Sequence, residues 1–208
     1  MLFFKRKPVF DQQSPTGSGI HQSDGFLQDQ LLISTPSITG SCFQRAVIYL
    51  FAHSEEGAMG VIINQPMEVV NYSALLDDED APVLQDTDEE VSVYFGGPVD
   101  RNRGFVLHTN DYRGGEPLFT GNSISVSANS TILKHMAAGV GPEKTLLCVG
   151  YAGWSAGQLE KELEENSWIT VPATRELIFN IDDEMKWGMA SQSLGIDMNF
   201  FSPMVGHA

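Results

Sequence analysis

Positive charge is scarce in this chain. Lysine and arginine number 12 against 27 aspartates and glutamates, a formal net charge of −15. Phosphate backbones are bound by clustered cations that displace counterions, so this balance argues against direct nucleic-acid binding. Cysteine is nearly missing too. Cys42 and Cys148 lie far apart and match neither a zinc-ligand pair nor a redox C-x-x-C. They read as buried, reduced thiols of a reducing compartment. Long apolar runs are also lacking. The longest, Ala46 to Ala52, has seven residues, whereas a membrane-spanning helix takes roughly 20. Lys5-Arg6-Lys7 is not followed by the apolar stretch of a secretory signal, so a cytoplasmic location is expected. No internal repeat or heptad pattern is present.

What is present suggests one domain with an extension. Residues 1–28 include the polar run Gln12 to Gly19, without periodicity, and read as a flexible N-terminal arm; residues 29–208 read as a single domain. The folded part opens with Leu31-Leu32-Ile33, then Ala46 to Ala52 and Ala58 to Ile63, short β-branched and aromatic runs between Pro36, Gly40 and Gly57. These are predicted strands. The link from His53 through Ala58 predicts a hairpin with a longer loop. Further strands are expected at Val91–Phe95, Gly104–His108, Ser123–Ser127 and Thr145–Gly150.

Helix signals concentrate later. Asn129 or Ser130 can cap a helix whose Ile132, Leu133, Met136 and Ala137 share a face, closed by Gly139. Ser155 and Gln158 form an S-x-x-Q capping box before Leu159 and Leu163. A last helix starts near Asp182 or Asp183, buries Met185, Met189 and Trp187, and stops at Gly195. Strands before helices indicate an α+β fold.

Several segments could carry chemistry. Gly153-Trp154-Ser155-Ala156-Gly157 matches G-x-S-x-G between a predicted strand and a predicted helix, the setting of a nucleophile elbow. Its base would have to be His207, beside the terminus, so the simpler reading makes Ser155 a helix cap. Gly96-Gly97 after a strand could bring amides to an anion, but Pro98 lacks an amide and a tight turn is the simpler reading. His53, His108 and Asn64 each end a predicted strand, so three polar groups could converge on one rim. Arg45 and Arg103 begin strands and fall at the opposite ends. Two histidines are too few for a metal site, and no cofactor motif is present. Asp77 to Asp80 lacks EF-hand spacing and reads as a solvated loop.

Taken in order, Phe43 to Leu50 leading to His53, Gly57 to Gly60, Asn64-Gln65-Pro66, Gly96 to Val99, Gly104 to His108, and Gly150 to Trp154 with Gly157 to Glu160 resemble the YqgE/AlgH family of bacterial proteins. The resemblance runs from about residue 29 to about residue 179. It implies a mixed, bifurcated β-sheet with a small closed barrel, surrounded by helices, and no established activity. One member of that family is labelled a transcriptional regulator of alginate genes. In the family pattern the position of Ser155 need not be serine, which weighs against a nucleophile. The expected function is therefore a noncatalytic regulatory or binding module for an unknown protein or small-molecule partner, acting through Arg45, His53, Asn64, Gly96, Gly97 and His108. A small serine hydrolase using Ser155 is the alternative.

Overall fold

The structure, a computed structural model, describes residues 26–76 and 89–195. Its backbone is one ten-stranded mixed sheet with three short α-helices. The strands are β1 (Gln30–Ser34), β2 (Val47–Ser54), β3 (Gly57–Ile62), β4 (Pro66–Asn71), β5 (Glu90–Phe95), β6 (Val99–Thr109), β7 (Phe119–Thr120), β8 (Ile124–Ser127), β9 (Thr145–Ser155) and β10 (Trp168–Pro172). The helices are α1 (Ser130–Ala137), α2 (Gln158–Glu164) and α3 (Asp183–Gln192), with a π-helical turn at Glu176–Asn180.

Along the main path the order is β10-β1-β2-β3-β9-β6-β8-β7, with β4 and β5 on a branch. The branch arises on β9. Leu147–Val149 pair in parallel with β5, while Ala152–Ser155 pair antiparallel with β3. Because β6 also pairs across Leu147 and Cys148, β5 and β3 follow one another along the other edge of β9. The sheet thus forks, as expected.

Among the described residues no closed barrel forms. The ends of the path, β10 and β7, are not paired with each other, and β7 has only two residues with which to build a ladder. The curled interior is covered instead by the π-helical turn and α3, which contribute Ile178, Trp187 and Ala190 to the core shared by β1, β2, β3, β6, β8 and β9.

Burial on both faces explains the unbroken apolar runs. Val47, Tyr49 and Phe51 of β2 face the inner core, whereas Ile48 and Leu50 meet Leu159 of α2, Trp154 and Trp168 on the outside. In β9, Cys148 and Leu146 face inward, while Leu147 and Val149 pack beneath Ile132, Leu133 and Met136 of α1. Asn129 caps α1 by accepting the Ile132 amide through its side chain at 3.3 Å, as its position predicts.

Three local expectations are corrected. Strands β2 and β3 run on until only Glu55 and Glu56 join them, so the hairpin turn is tight. Helix α3 buries Lys186, Trp187, Ala190 and Ser191, leaving Met185 and Met189 54% and 38% exposed. Its inward face is chosen by polar tips, since the Trp187 indole N–H donates to the Ser34 carbonyl at 2.8 Å. Finally, Phe26 to Gln28 are not free: the Phe26 ring packs edge-on to His53 and the next two residues bond to it. Residues 1–25, the acidic run from Asp77 to Asp88 and His207 lie outside the described residues.

Candidate functional site

The motif most suggestive of catalysis is used in full by packing. Ser155 is the last residue of β9, paired with Gly57 of β3, and does not sit on a strained turn. Its amide and hydroxyl both donate to Gln158 Oε1 at 3.1 Å. Only the glutamine half of the capping box is made, because Gly157, in the left-handed conformation at φ 71°, is the N-cap of α2. The Trp154 and Trp168 indole N–H groups donate to Glu162 Oε2 at 2.9 and 2.7 Å, and the rings meet edge to face. The hydrolase alternative is therefore not supported: among the described residues this serine has only Gln158 as a side-chain partner, with no base beside it, and no elbow lies beneath it.

His53 belongs to the same pinning. Its Nδ1 accepts the Leu27 amide at 3.0 Å, so Nε2 carries the proton and donates to Glu160 Oε1 at 2.7 Å. The Glu160 carboxyl is held below its ordinary value, first by its own backbone N–H and then by His53. With both nitrogens engaged and 3% of its surface exposed, His53 clasps the entry to β1 against α2.

His108 lies elsewhere, on the α1 side of the sheet. Its Nδ1–H donates to the Thr109 carbonyl at 2.9 Å, and its Nε2 accepts the Ser127 hydroxyl at 3.0 Å. Burial lowers its pKa. Next to it the Tyr112 hydroxyl and His135 Nδ1 are 2.7 Å apart.

The other four expected residues gather at the opposite end of β2, about 20 Å from His53 at roughly 3.3 Å per strand residue. Asn64 accepts the Val47 amide and donates to the Arg45 carbonyl, both at 2.9 Å, holding the start of β2 against the end of β3. Arg45, at φ 53°, lays its guanidinium over the Trp187 ring. Gly96 donates to the Val149 carbonyl and accepts the Ile62 amide, each at 2.8 Å, at the point where the sheet forks. A Cβ on Gly97 would lie 2.2 Å from the Tyr151 carbonyl carbon. The glycine pair serves a backbone crossing rather than an anion cradle.

That end of the sheet also holds what the sequence reading missed. Lys186 of α3 is only 3% exposed, and its Nζ donates to Asp183 Oδ1 at 2.7 Å and to the Ile63 carbonyl at 3.0 Å. It also stands over the Tyr94 ring. Tyr94 donates its hydroxyl to Asp183 Oδ2 at 3.1 Å. Burial, and then the Asp183 charge, raises the Tyr94 pKa, so the phenol stays protonated. Cys148, paired with Tyr94 across β5 and β9, is fully buried, and burial pushes its thiol up to about 12. It is an unreactive thiol at neutral pH.

Tyr94, Asp183 and Lys186 line a cavity of about 250 Å³ together with Thr145, Leu146 and residues 178–182. This is small beside typical ligand pockets, which run to roughly 300–1,000 Å³. A lysine so deeply buried is rare unless paired. Here the sequence signal was weak, because Lys186 sits in a stretch read only for its apolar residues. Among the described residues no group of three or more histidine, cysteine, aspartate or glutamate side chains could hold a metal ion. Nor is any described helix long and apolar enough to cross a membrane.

Comparison with known proteins places these features in context. The AlgH-like family model matches residues 31–199. A UPF0301 protein of Mesorhizobium japonicum is 44% identical over 189 residues, covering 88% of this chain and 94% of that protein. One from Jannaschia is 46% identical over 184 residues, with 88% and 95% covered. The solution structure of the AlgH protein from Pseudomonas aeruginosa superposes with a TM-score of 0.67 at 35% identity, covering 91% of this chain and all of that one. A Corynebacterium diphtheriae protein, DIP2367, shares the fold at 20% identity and a TM-score of 0.63, covering 89% and 92% of the two chains.

Proposed function

This chain is a member of the AlgH-like family, and on that footing we propose that it is a noncatalytic binding module whose ligand is a small polar molecule held in the cavity beside Lys186. One observation carries the reading: a buried lysine, neutralised by Asp183 and braced by Tyr94, lines a half-open, polar-walled cavity at the margin of the core. Burying such a pair is expensive, and apolar residues of similar volume often stabilise a fold better. Retaining it fits a site in which polar contacts matter.

Arg45, Asn64, Gly96 and Gly97 stand outside the lining of that cavity and order the start of β2, the end of β3 and the fork. His53 and His108 serve the fold in this reading. A regulatory role would follow if ligand occupancy altered how α3 or the π-helical turn meets a protein partner. The acidic balance of the chain disfavours nucleic acid as that partner.

The test is a metabolite screen by thermal shift, followed by amide chemical-shift mapping and by a pull-down. A binder is expected to move the signals of Tyr94, Thr145, Asn180 and Lys186. Ligands that perturb only other parts of the sheet, or no ligand and no partner at all, would sink the proposal.

A further inference from the structure

The cavity beside Lys186 has a wall whose donors are largely spent and whose acceptors are not. Lys186 Nζ donates to Asp183 Oδ1 and to the Ile63 carbonyl, and stands 5.6 Å from the centroid of the Tyr94 ring. The Tyr94 hydroxyl proton goes to Asp183 Oδ2. The main-chain amides of Met185 and Lys186 both meet the Asp182 carbonyl. Asn180 Nδ2 donates to Glu176 Oε2 at 2.7 Å. The start of α3 could offer amides to an anion, but Asp183 and Glu184 already set negative charge in that turn.

The acceptors are in a different state. Asp182 lines the cavity at the N-cap position of α3, yet its carboxylate makes no cap hydrogen bond and has no partner among the described residues. Asn180 Oδ1 and the Thr145 hydroxyl, from two other lining residues, are free in the same sense. The π-helical turn ends at Asn180, and the chain leaves it extended at Ile181 with ψ 136°, so its last carbonyls have no following helical amide to meet. Two lining carboxylates, Asp182 and Asp183, stand against a single lining cation, Lys186. A ligand that brings donors and positive charge completes such a wall. One that brings acceptors and negative charge meets lone pairs and like charge.

We propose that the ligand of this cavity presents a primary ammonium group, taken by the Asp182 carboxylate, Asn180 Oδ1 and the Thr145 hydroxyl. This rests on the cavity being a ligand site and adds the charge and donor character of what enters it. An ammonium carries donors and no acceptor, the complement of this wall. The cavity is half open, with Asp182 and Asn180 exposed at its rim, so a small amine reaches it from solvent. Half-buried Phe179 supplies apolar surface for the carbon beside the nitrogen. The chain's net charge of −15 draws cations towards its surface.

The experiment titrates the full chain with ethylammonium chloride, ethanol and sodium acetate, probes of similar size and different charge, with sodium chloride holding the ionic strength constant. Amide chemical shifts of Tyr94, Thr145, Asn180 and Asp182 report occupancy. Ethylammonium is expected to move them to saturation, while ethanol and acetate leave them in place. Tetramethylammonium, a cation without N–H donors, should move them far less. Asp182→Asn removes the charge and keeps the shape, and should weaken the ethylammonium titration about tenfold, as loss of a charge-assisted hydrogen bond would. Glu184→Gln removes the same charge from the same turn but outside the lining, and should stay within about twofold of the wild type. Both side chains are exposed and hold no other element, so both variants should fold.

Acetate or ethanol moving those amides as far as ethylammonium does overturns the inference and leaves the cavity a site for another class of ligand. Equal weakening by Asp182→Asn and Glu184→Gln also overturns it, because that marks counterions gathered by an acidic surface. If no probe moves those amides the inference falls as well. A ligand found at the same amides by the metabolite screen would then leave the cavity reading intact, whereas a blank screen would remove both.

Discussion

His108 and Glu162 show how polar side chains near strand and helix ends are consumed inside this fold. His108 is buried and neutral, and its lowered pKa follows first from burial. The unfolded chain takes up a proton near the ordinary pKa of about 6.5, while the folded one resists it. The stability His108 contributes is therefore present above that pH and lost as pH falls. Midpoints of urea unfolding between pH 8 and 5 should decline, and a His108→Gln variant should flatten the decline. Glu162 is a hub for two indoles. Glu162→Ala should cost on the order of 1–3 kcal/mol for each N–H left without an acceptor, read as a shifted denaturant midpoint with an unchanged m-value. Both histidines were legible in the sequence as polar groups at strand ends. Their partners were not, since Leu27 and Glu160 reach His53 across 26 and 107 positions, and no local pattern records a contact of that span.

At the level of elements, most strands and the first helix were readable because apolar runs bounded by glycine and proline carry their own signal. Helix α3 was misread as to face. Its apolar residues point both ways, and the decision was made by Trp187 reaching Ser34 and Lys186 reaching Ile63. Met185→Lys should therefore stay within about 0.5 kcal/mol of the parent, while Trp187→Ala should cost about 3–5 kcal/mol; chemical denaturation distinguishes them. Strand β4 escaped notice because it begins with proline and mixes Glu68 among apolar residues. Those same features suit a branch strand that, among the described residues, pairs with β5 alone. Pro66 and the register shift beside it blunt an edge that would otherwise offer exposed Met67 and Val69 to another chain. Replacing Pro66 with valine should raise the rate of concentration-dependent aggregation, measured by light scattering.

Across the whole molecule the fork in the sheet governs everything else. Gly96, Gly97 and Gly150 let two backbones cross where β5 leaves β9 and β3 takes its place. Gly97→Ala, which adds a carbon on top of Tyr151 at φ 154°, should cost on the order of 3 kcal/mol or more, seen as a large drop in Tm or as failure to fold. The sequence marked the glycines as a turn; that they sit at a branch point depends on strands brought together from residues 57, 95 and 150, which only the assembled sheet reveals.

Strand β9, which receives β3, β5 and β6, has a consequence for the order of events at the ribosome. It spans Thr145–Ser155, so β1 to β8 are all made before the strand that joins them emerges. Until then β3 and β6 each have an open edge, and β1 still awaits β10. Open strand edges in nascent chains are sites of misassociation, and pairing over such sequence distances is slow. A chain released by the ribosome before residue 155 should be recovered with chaperones or in inclusion bodies, whereas the 208-residue chain folds.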